Sequence, residues 1–144
     1  MAKRKPIIGE SFNPEYGNLG ECATQMAREL EYYRPHGFAR LRDELESLSE
    51  GDDISEAIDE ACELLTDWAR RVARHDFISF RCEGDFAGFA IDVESAQEDS
   101  DLRVDDLADV PRGFSGLVSV VSDHGNVTAY AFSRGRKREL FAVV

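Results

Sequence analysis

The stretch that decides the second half of the fold is 114–144, FSGLVSVVSDHGNVTAYAFSRGRKRELFAVV. Apolar and polar residues alternate through 117–121, 127–132 and 139–144, and breaks fall at 123–126 and 133–136. Each break contains a glycine, which is typical of the short turns that join antiparallel strands. The pattern predicts a three-stranded antiparallel meander.

Upstream of this stretch, three segments repeat apolar residues at the spacing of a helix. The stripes are Leu19, Cys22, Met26, Leu30 and Tyr33; Phe38, Leu41, Leu45 and Leu48; and Ile54, Ile58, Ala61, Leu65, Trp68 and Val72. The third segment opens with Asp53 and Glu56 in the form of a capping box. It closes with Arg70, Arg71 and Arg74, which favour the negative end of a helix dipole.

Period-two alternation returns at 78–82 and 89–93, around a glycine-first turn at Gly84–Asp85. Helices followed by strands predict an α+β fold, with three N-terminal helices packed on one face of a roughly five-stranded antiparallel sheet. We expect a single domain over 1–144, with an irregular segment at 1–17, a helical half at 18–75 and a β half at 76–144. The polar segment 94–113 predicts a connector with a short helix near 104–108.

The length of 144 residues fits one domain. No apolar run approaches the roughly 20 residues that span a bilayer, and the basic residues at 3–5 precede no apolar signal segment. These features predict a cytoplasmic protein with no membrane partner. Cys22, Cys62 and Cys82 form no Cys-x-x-Cys pair and are expected to be reduced thiols, with Cys62 and Cys82 as small buried hydrophobic residues.

The formal net charge of −12 argues against direct binding to nucleic-acid backbones, which need a positive surface. It suits a soluble protein, a protein that docks on a basic surface of a host protein or complex, or both. A homodimer is left open.

The negative charge is concentrated in two runs, at 43–67 and 92–109. The candidate partner-binding carboxylates in these runs are Asp43, Glu44, Glu46, Asp52, Asp59, Glu60, Glu63, Asp99, Asp101, Asp105 and Asp106. Such runs are usually solvated surface, and the sharper interpretation is a surface that imitates a nucleic-acid backbone. The second run lacks the glycine and glutamate spacing of an EF-hand calcium loop.

Positive charge gathers at the last predicted turn. Arg134, Arg136 and Arg138, with Lys137 between them, would form a basic tip that docks on an acidic partner. The same charges would also protect an edge strand against aggregation.

The three histidines, His36, His75 and His124, lack the short fixed spacing of metal ligands, so neither a metal nor a cofactor is expected. The neighbours 122–124 cannot form a catalytic triad, because the base must lie between nucleophile and acid in space. No catalytic residue is therefore assigned. His124, which turn chemistry does not require, is a candidate for partner recognition, or for a small hydrolase or transferase that pairs it with Asp123.

The segment 113–128, which includes GFSGLV and SDHGNVT, resembles the C-terminal part of small, mostly uncharacterised phage-borne and prophage-borne proteins. The resemblance covers under a third of the chain and includes no catalytic signature. It implies an accessory protein that binds host machinery, including defence systems such as CRISPR complexes.

Together these features predict a non-enzymatic, acidic protein-binding module that inhibits a nucleic-acid-handling host defence complex. An immunity-type or antitoxin-type protein would share the acidic surface and stays an alternative.

Overall fold

The computed structural model describes residues 4–48 and 53–143. The strands are β1 (Gly9–Phe12), β2 (Ile78–Glu83), β3 (Phe86–Ile91), β4 (Leu102–Val104), β5 (Gly116–Val121), β6 (Val127–Ser133) and β7 (Arg136–Val143). The helices are α1 (Leu19–Tyr33), α2 (Phe38–Ser47), α3 (Ile54–Ala73) and α4 (Val93–Asp99), with 3-10 turns at Pro14–Tyr16 and Leu107–Asp109. The chain divides into two compact units, unit 1 (Met1–Ala90) and unit 2 (Ile91–Val144).

Unit 1 is built on a three-stranded sheet in the order β1-β3-β2. Helix α3 packs against β2, and α1 and α2 pack on α3 and on each other. Its core is an aromatic cluster around Phe89, which is 0% exposed. The rings of Tyr33 and Phe80 each lie 5.0 Å from that of Phe89, and the ring of Trp68 lies 6.1 Å away. Fully burying one such ring contributes roughly 1.5–3 kcal/mol of transfer free energy, so the cluster holds α1 and α3 against the sheet.

Hydrogen bonds cap both ends of α1 and of α3. Asn18 and Asp53 accept hydrogen bonds from the amides three residues on, at 2.9 and 3.1 Å, which satisfies donors that the first turn leaves open. At the other end, α1 and α3 stop at Arg34 and Arg74, both in the left-handed backbone conformation with φ of 51° and 62°. Each arginine amide donates back to the carbonyl four residues earlier at 2.8 Å.

Strand β1 lies inside the segment 1–17, for which we expected irregular structure. It pairs antiparallel with β3 and carries no alternating apolar pattern, because its main contribution is its backbone hydrogen bonds. The close approach requires Gly88 opposite Glu10: a Cβ at Gly88 would lie 2.1 Å from the Gly9 carbonyl oxygen. A glycine in a strand commonly marks such an approach.

Unit 2 contains the predicted meander, with β5, β6 and β7 paired antiparallel in order. Gly125 has φ of 80° in the first turn, and Arg134 and Gly135 have φ of 53° and 81° in the second. Two successive positive φ values at a two-residue loop are the type I′ geometry that matches strand twist. The hairpin turn at Gly84–Asp85 in unit 1 is also confirmed, with φ of 58° at Gly84.

The prediction of one five-stranded antiparallel sheet is wrong. The described strands form two sheets, of three and four strands, and β4 pairs parallel to β5. The short helix expected near 104–108 corresponds to the 3-10 turn at Leu107–Asp109. The connector also contains α4, which was not predicted and begins where Asp92 accepts from the Ser95 amide at 3.1 Å. Val93, expected to end a strand, is the first residue of that helix. Sequence periodicity missed α4 because Ala96 is its one buried position.

We predict that Gly88→Ala destabilises unit 1 by roughly 1–3 kcal/mol, because the added methyl group displaces β1 from β3. Gly20→Ala, at an exposed position in the first turn of α1 where the added Cβ would lie near the Asn18 side-chain oxygen, should change stability by less than about 0.5 kcal/mol. Urea unfolding gives the free energies, and amide hydrogen exchange over 9–12 reports the strand. Equal stability and unchanged protection in Gly88→Ala would contradict the proposed close approach.

Candidate functional site

The solvent face of α3 carries an unbroken row of carboxylates. We call Glu56, Asp59, Glu60, Glu63 and Asp67 the α3 acidic face; all five are exposed. The opposite face of the helix is its apolar stripe, in which Ala61 and Leu65 are 0% exposed. Because that stripe is buried, the helix cannot rotate its carboxylates out of solvent, and the row is fixed in direction.

The acidic residues of α2 and α3 meet, as the run at 43–67 predicted, but they do not act alike. Arg40 lies 3.6 Å from Glu44 and 3.5 Å from Glu60, and its side chain is 76% exposed. Arg42 lies 3.0 Å from Asp43. Exposed pairs of this kind contribute little to stability, yet they neutralise part of the charge on α2.

The remaining members of the first run fall into two groups. Glu46 is exposed on α2, and Asp59 and Glu63 are exposed on α3. Asp52 lies outside the described residues. The predicted set omitted Glu56 and Asp67, which the helix places on the same face as Asp59 and Glu63. A three- and four-residue spacing search for acidic residues would have found them.

Carboxyl groups on this surface disfavour one another's ionisation. The pKa of Glu56 is raised, first by its side-chain hydrogen bond with Asp53, then by the charge of Asp53, and to a smaller extent by burial and by the charges of Glu60 and Glu44. Residues from both helices therefore contribute to one negative potential, which opposes the ionisation of Glu56.

In unit 2 the second acidic run is partly used by the fold. Asp101 accepts the Leu117 amide at 2.8 Å, and Asp106 accepts the Ala108 amide at 2.9 Å. Asp99 and Asp105 are exposed. Within residues 4–48 and 53–143, no group of three or more His, Cys, Asp or Glu side chains is arranged to hold a metal ion.

The turn that carries His124 is closed by Ser122. The Ser122 amide donates to the Asn126 carbonyl at 2.9 Å, and the Ser122 hydroxyl oxygen accepts the Asn126 amide at 3.2 Å. His124 is exposed at the tip and takes part in none of these bonds. The turn therefore explains Ser122 and Asn126 by geometry and leaves the role of His124 a prediction.

The basic tip of unit 2 is anchored at its base. The Arg134 amide donates to the Ser115 hydroxyl oxygen at 2.8 Å, and the Gly135 amide donates to the Phe114 carbonyl at 2.9 Å. Arg134 and Arg136 are exposed, and Arg138 is half-buried. The hairpin thus holds Arg134 and Arg136 together at one end of the sheet.

Cys22 is buried, whereas Cys62 and Cys82, which were expected to be buried, are half-buried. Cys22 is 7% exposed, and burial raises its pKa. Burial raises the pKa of Cys62 to about 12 and that of Cys82 to about 11, with further contributions from neighbouring thiols and carboxylates. At neutral pH these thiols are protonated and are poor nucleophiles.

Sequence patterns did not indicate a second charged site in unit 1. Arg4, Arg34, Arg71 and Arg74 line one cavity together with Tyr33 and Trp68. These arginines are scattered along the chain, and Arg71 and Arg74 had been assigned to the dipole of α3.

Comparison with known proteins finds no matching family model, no matching curated protein and no matching solved structure. In the part of the chain that the structure describes, no helix is both long enough and apolar enough to cross a bilayer. The geometry of the charged surfaces therefore carries the functional argument.

We predict that the native thiols react slowly with a disulfide reagent at pH 8 and rapidly once the chain is unfolded in urea. Because the folded pKa values lie above the ordinary value of about 8.5, the free energy of unfolding should be constant below that pH. It should then fall as the pH rises toward 11–12. Rapid labelling of all three thiols in the native protein would contradict their burial.

Proposed function

We propose that this protein is a non-enzymatic binding module that docks, through the α3 acidic face, on a basic protein surface that otherwise holds nucleic acid. The observation that supports the proposal is the row of five exposed carboxylates on α3, a helix whose opposite face is buried. Such a row presents fixed negative charge without needing a bound ligand or a moving loop.

The spacing of these carboxylates approaches that of a nucleic-acid strand. Glu56 and Asp67 are eleven residues apart, which corresponds to about 16 Å of helix axis at roughly 1.5 Å per residue. Five charges over that length give about one charge per 4 Å, and one DNA strand carries one per about 3.4 Å. A basic groove that binds phosphates at that spacing could therefore bind these carboxylates, which have a similar spacing.

The row also works against the stability of α3, which favours a binding role over a solvated surface. Asp59 and Glu63, and Glu63 and Asp67, are like charges four residues apart, and each such pair destabilises a helix by roughly 0.2–0.5 kcal/mol. Solvation alone would be served by mixing in lysine or arginine at these exposed positions. Glu60 is offset by Arg40, whereas Asp59, Glu63 and Asp67 form no ion pair within the described residues.

A host defence complex that handles nucleic acid, such as a CRISPR complex, is the partner class we propose. The resemblance of 113–128 to phage-borne accessory proteins supports a bacterial partner, and the acidic face supports a basic groove on it. Unit 2 carries a second, smaller set of exposed charges at Asp99, Asp105 and the basic tip, and the docking proposed here through α3 does not use them.

We predict opposite effects on binding and stability in the triple variant Asp59→Asn, Glu63→Gln, Asp67→Asn. Losing three partner contacts should weaken capture of the partner by roughly tenfold or more, because each exposed pair contributes part of a kcal/mol to about one. Removing two like-charge pairs should raise the free energy of unfolding by roughly 0.4–1 kcal/mol.

The control variant is Asp99→Asn, Asp105→Asn, Asp109→Asn, which removes the same charge from exposed positions of unit 2. Capture from nuclease-treated bacterial lysate, quantified by mass spectrometry, should be competed by a double-stranded DNA oligonucleotide and lost at 1 M salt, where the Debye length is about 3 Å. Capture that the oligonucleotide does not reduce would contradict docking on a nucleic-acid-binding surface. Equal weakening of capture by both triple variants would contradict docking through α3.

A further inference from the structure

The arginine-lined cavity of unit 1 is a positive site on a strongly negative protein. Its volume is about 630 Å³, and its walls are formed by Arg4, Arg34, Arg71 and Arg74 around Tyr33, Trp68 and Val72. The net charge of the chain is −12, so a cluster of four guanidinium groups is contrary to the composition. It lies at the C-terminal ends of α1 and α3, and the α3 acidic face, which begins at Glu56, ends beside it at Asp67.

Two non-glycine residues at this cavity have a left-handed backbone conformation. Arg34 and Arg74 each end a helix in the left-handed conformation, with φ of 51° and 62°. Glycine or asparagine takes that conformation with least strain and is the usual residue there. Both positions hold arginine in place of the usual residue, and both arginines line the same cavity.

Capping of the helices and a salt bridge use part of this charge. Arg34 pairs with Glu31 at 2.8 Å and also donates to the Glu31 carbonyl. Each helix C-terminus carries roughly half a negative charge, which partly offsets the arginines beside it. Four guanidinium groups nevertheless line one cavity.

An aromatic surface accompanies these charges. Trp68 is half-buried and lines the cavity, and its other contacts are Tyr33, with ring centres 5.0 Å apart, and Phe89. Arg4 stacks over the neighbouring Tyr32 ring at 4.1 Å. The packed core therefore holds the indole in place beside the guanidinium groups.

We propose that this cavity binds a mononucleotide, with its phosphates on Arg71, Arg74 and Arg34 and its base against Trp68. Guanidinium forks match phosphate oxygens in pairs, and aromatic faces stack bases without regard to sequence. The volume lies within the usual range for small-ligand sites, about 300–1,000 Å³.

The charge of the whole chain decides between a nucleotide and a longer nucleic acid. A polyanion would extend past the cavity into the negative field of the rest of the protein, whereas a mononucleotide is held inside the local positive region. An acidic peptide would use the arginines but leave Trp68 without a role.

The test uses the single tryptophan of the chain as a reporter. ATP, adenosine and inorganic pyrophosphate are titrated separately into the intact protein, with Trp68 fluorescence and calorimetry as readouts. We expect a saturable response to ATP, a weaker one to pyrophosphate and none to adenosine. No saturable response to ATP, or pyrophosphate binding as tightly as ATP, would overturn the proposal.

Substitutions then separate binding from helix capping. Arg71→Gln with Arg74→Asn removes two charges, while asparagine suits the left-handed position, so ATP affinity should fall roughly tenfold or more with the unfolding midpoint unchanged or higher. Arg81→Ala, at an exposed strand position outside the cavity, should leave ATP binding unchanged. A lowered midpoint with unchanged ATP affinity would show that the arginines act as caps and would refute the nucleotide site.

Discussion

Unit 1 depends on the burial of one face of α3. The stripe from Ile54 to Ala69 is removed from water, and the same helix brings Trp68 to the ring cluster around Phe89. This burial fixes which way the helix faces. Its carboxylates are therefore held in solvent as a row, although repulsion between them works against the helix that carries them. Burial of the apolar face of α3 therefore also determines where its acidic face points.

How much of the fold could be predicted depended on how many side chains each element buries. Helix α3 repeats apolar residues over several helical turns, and the strands β5–β7 alternate them over several residues. Their secondary structure could therefore be predicted from the sequence. Strand β1 pairs through its backbone beside Gly88, β4 has three residues, and α4 buries Ala96 alone of its seven residues. None of these three elements has a periodic pattern of apolar residues in the sequence. The division into two sheets was also missed, because strand patterns do not specify which strands pair.

The candidate site was predicted in part, for a related reason. Charge runs are local in sequence, so the acidic residues of α2 and α3 were found, but their partners were not. Arg40 and Arg42 offset some of them, and Asp101 and Asp106 serve the backbone of unit 2. The arginine cavity joins Arg4, Arg34, Arg71 and Arg74, which are far apart along the chain. The one available signal was arginine, in place of glycine or asparagine, at the ends of α1 and α3.

The central claim is that α3 stabilises unit 1 with one face and binds a partner with the other. Carbodiimide labelling of carboxyl groups, read residue by residue by mass spectrometry in the protein alone and in the captured complex, tests it most directly. Docking through α3 predicts that Asp59, Glu63 and Asp67 are protected in the complex, and that Asp105 and Asp109 label as before. Unchanged labelling along α3, with protection confined to unit 2, would contradict the claim.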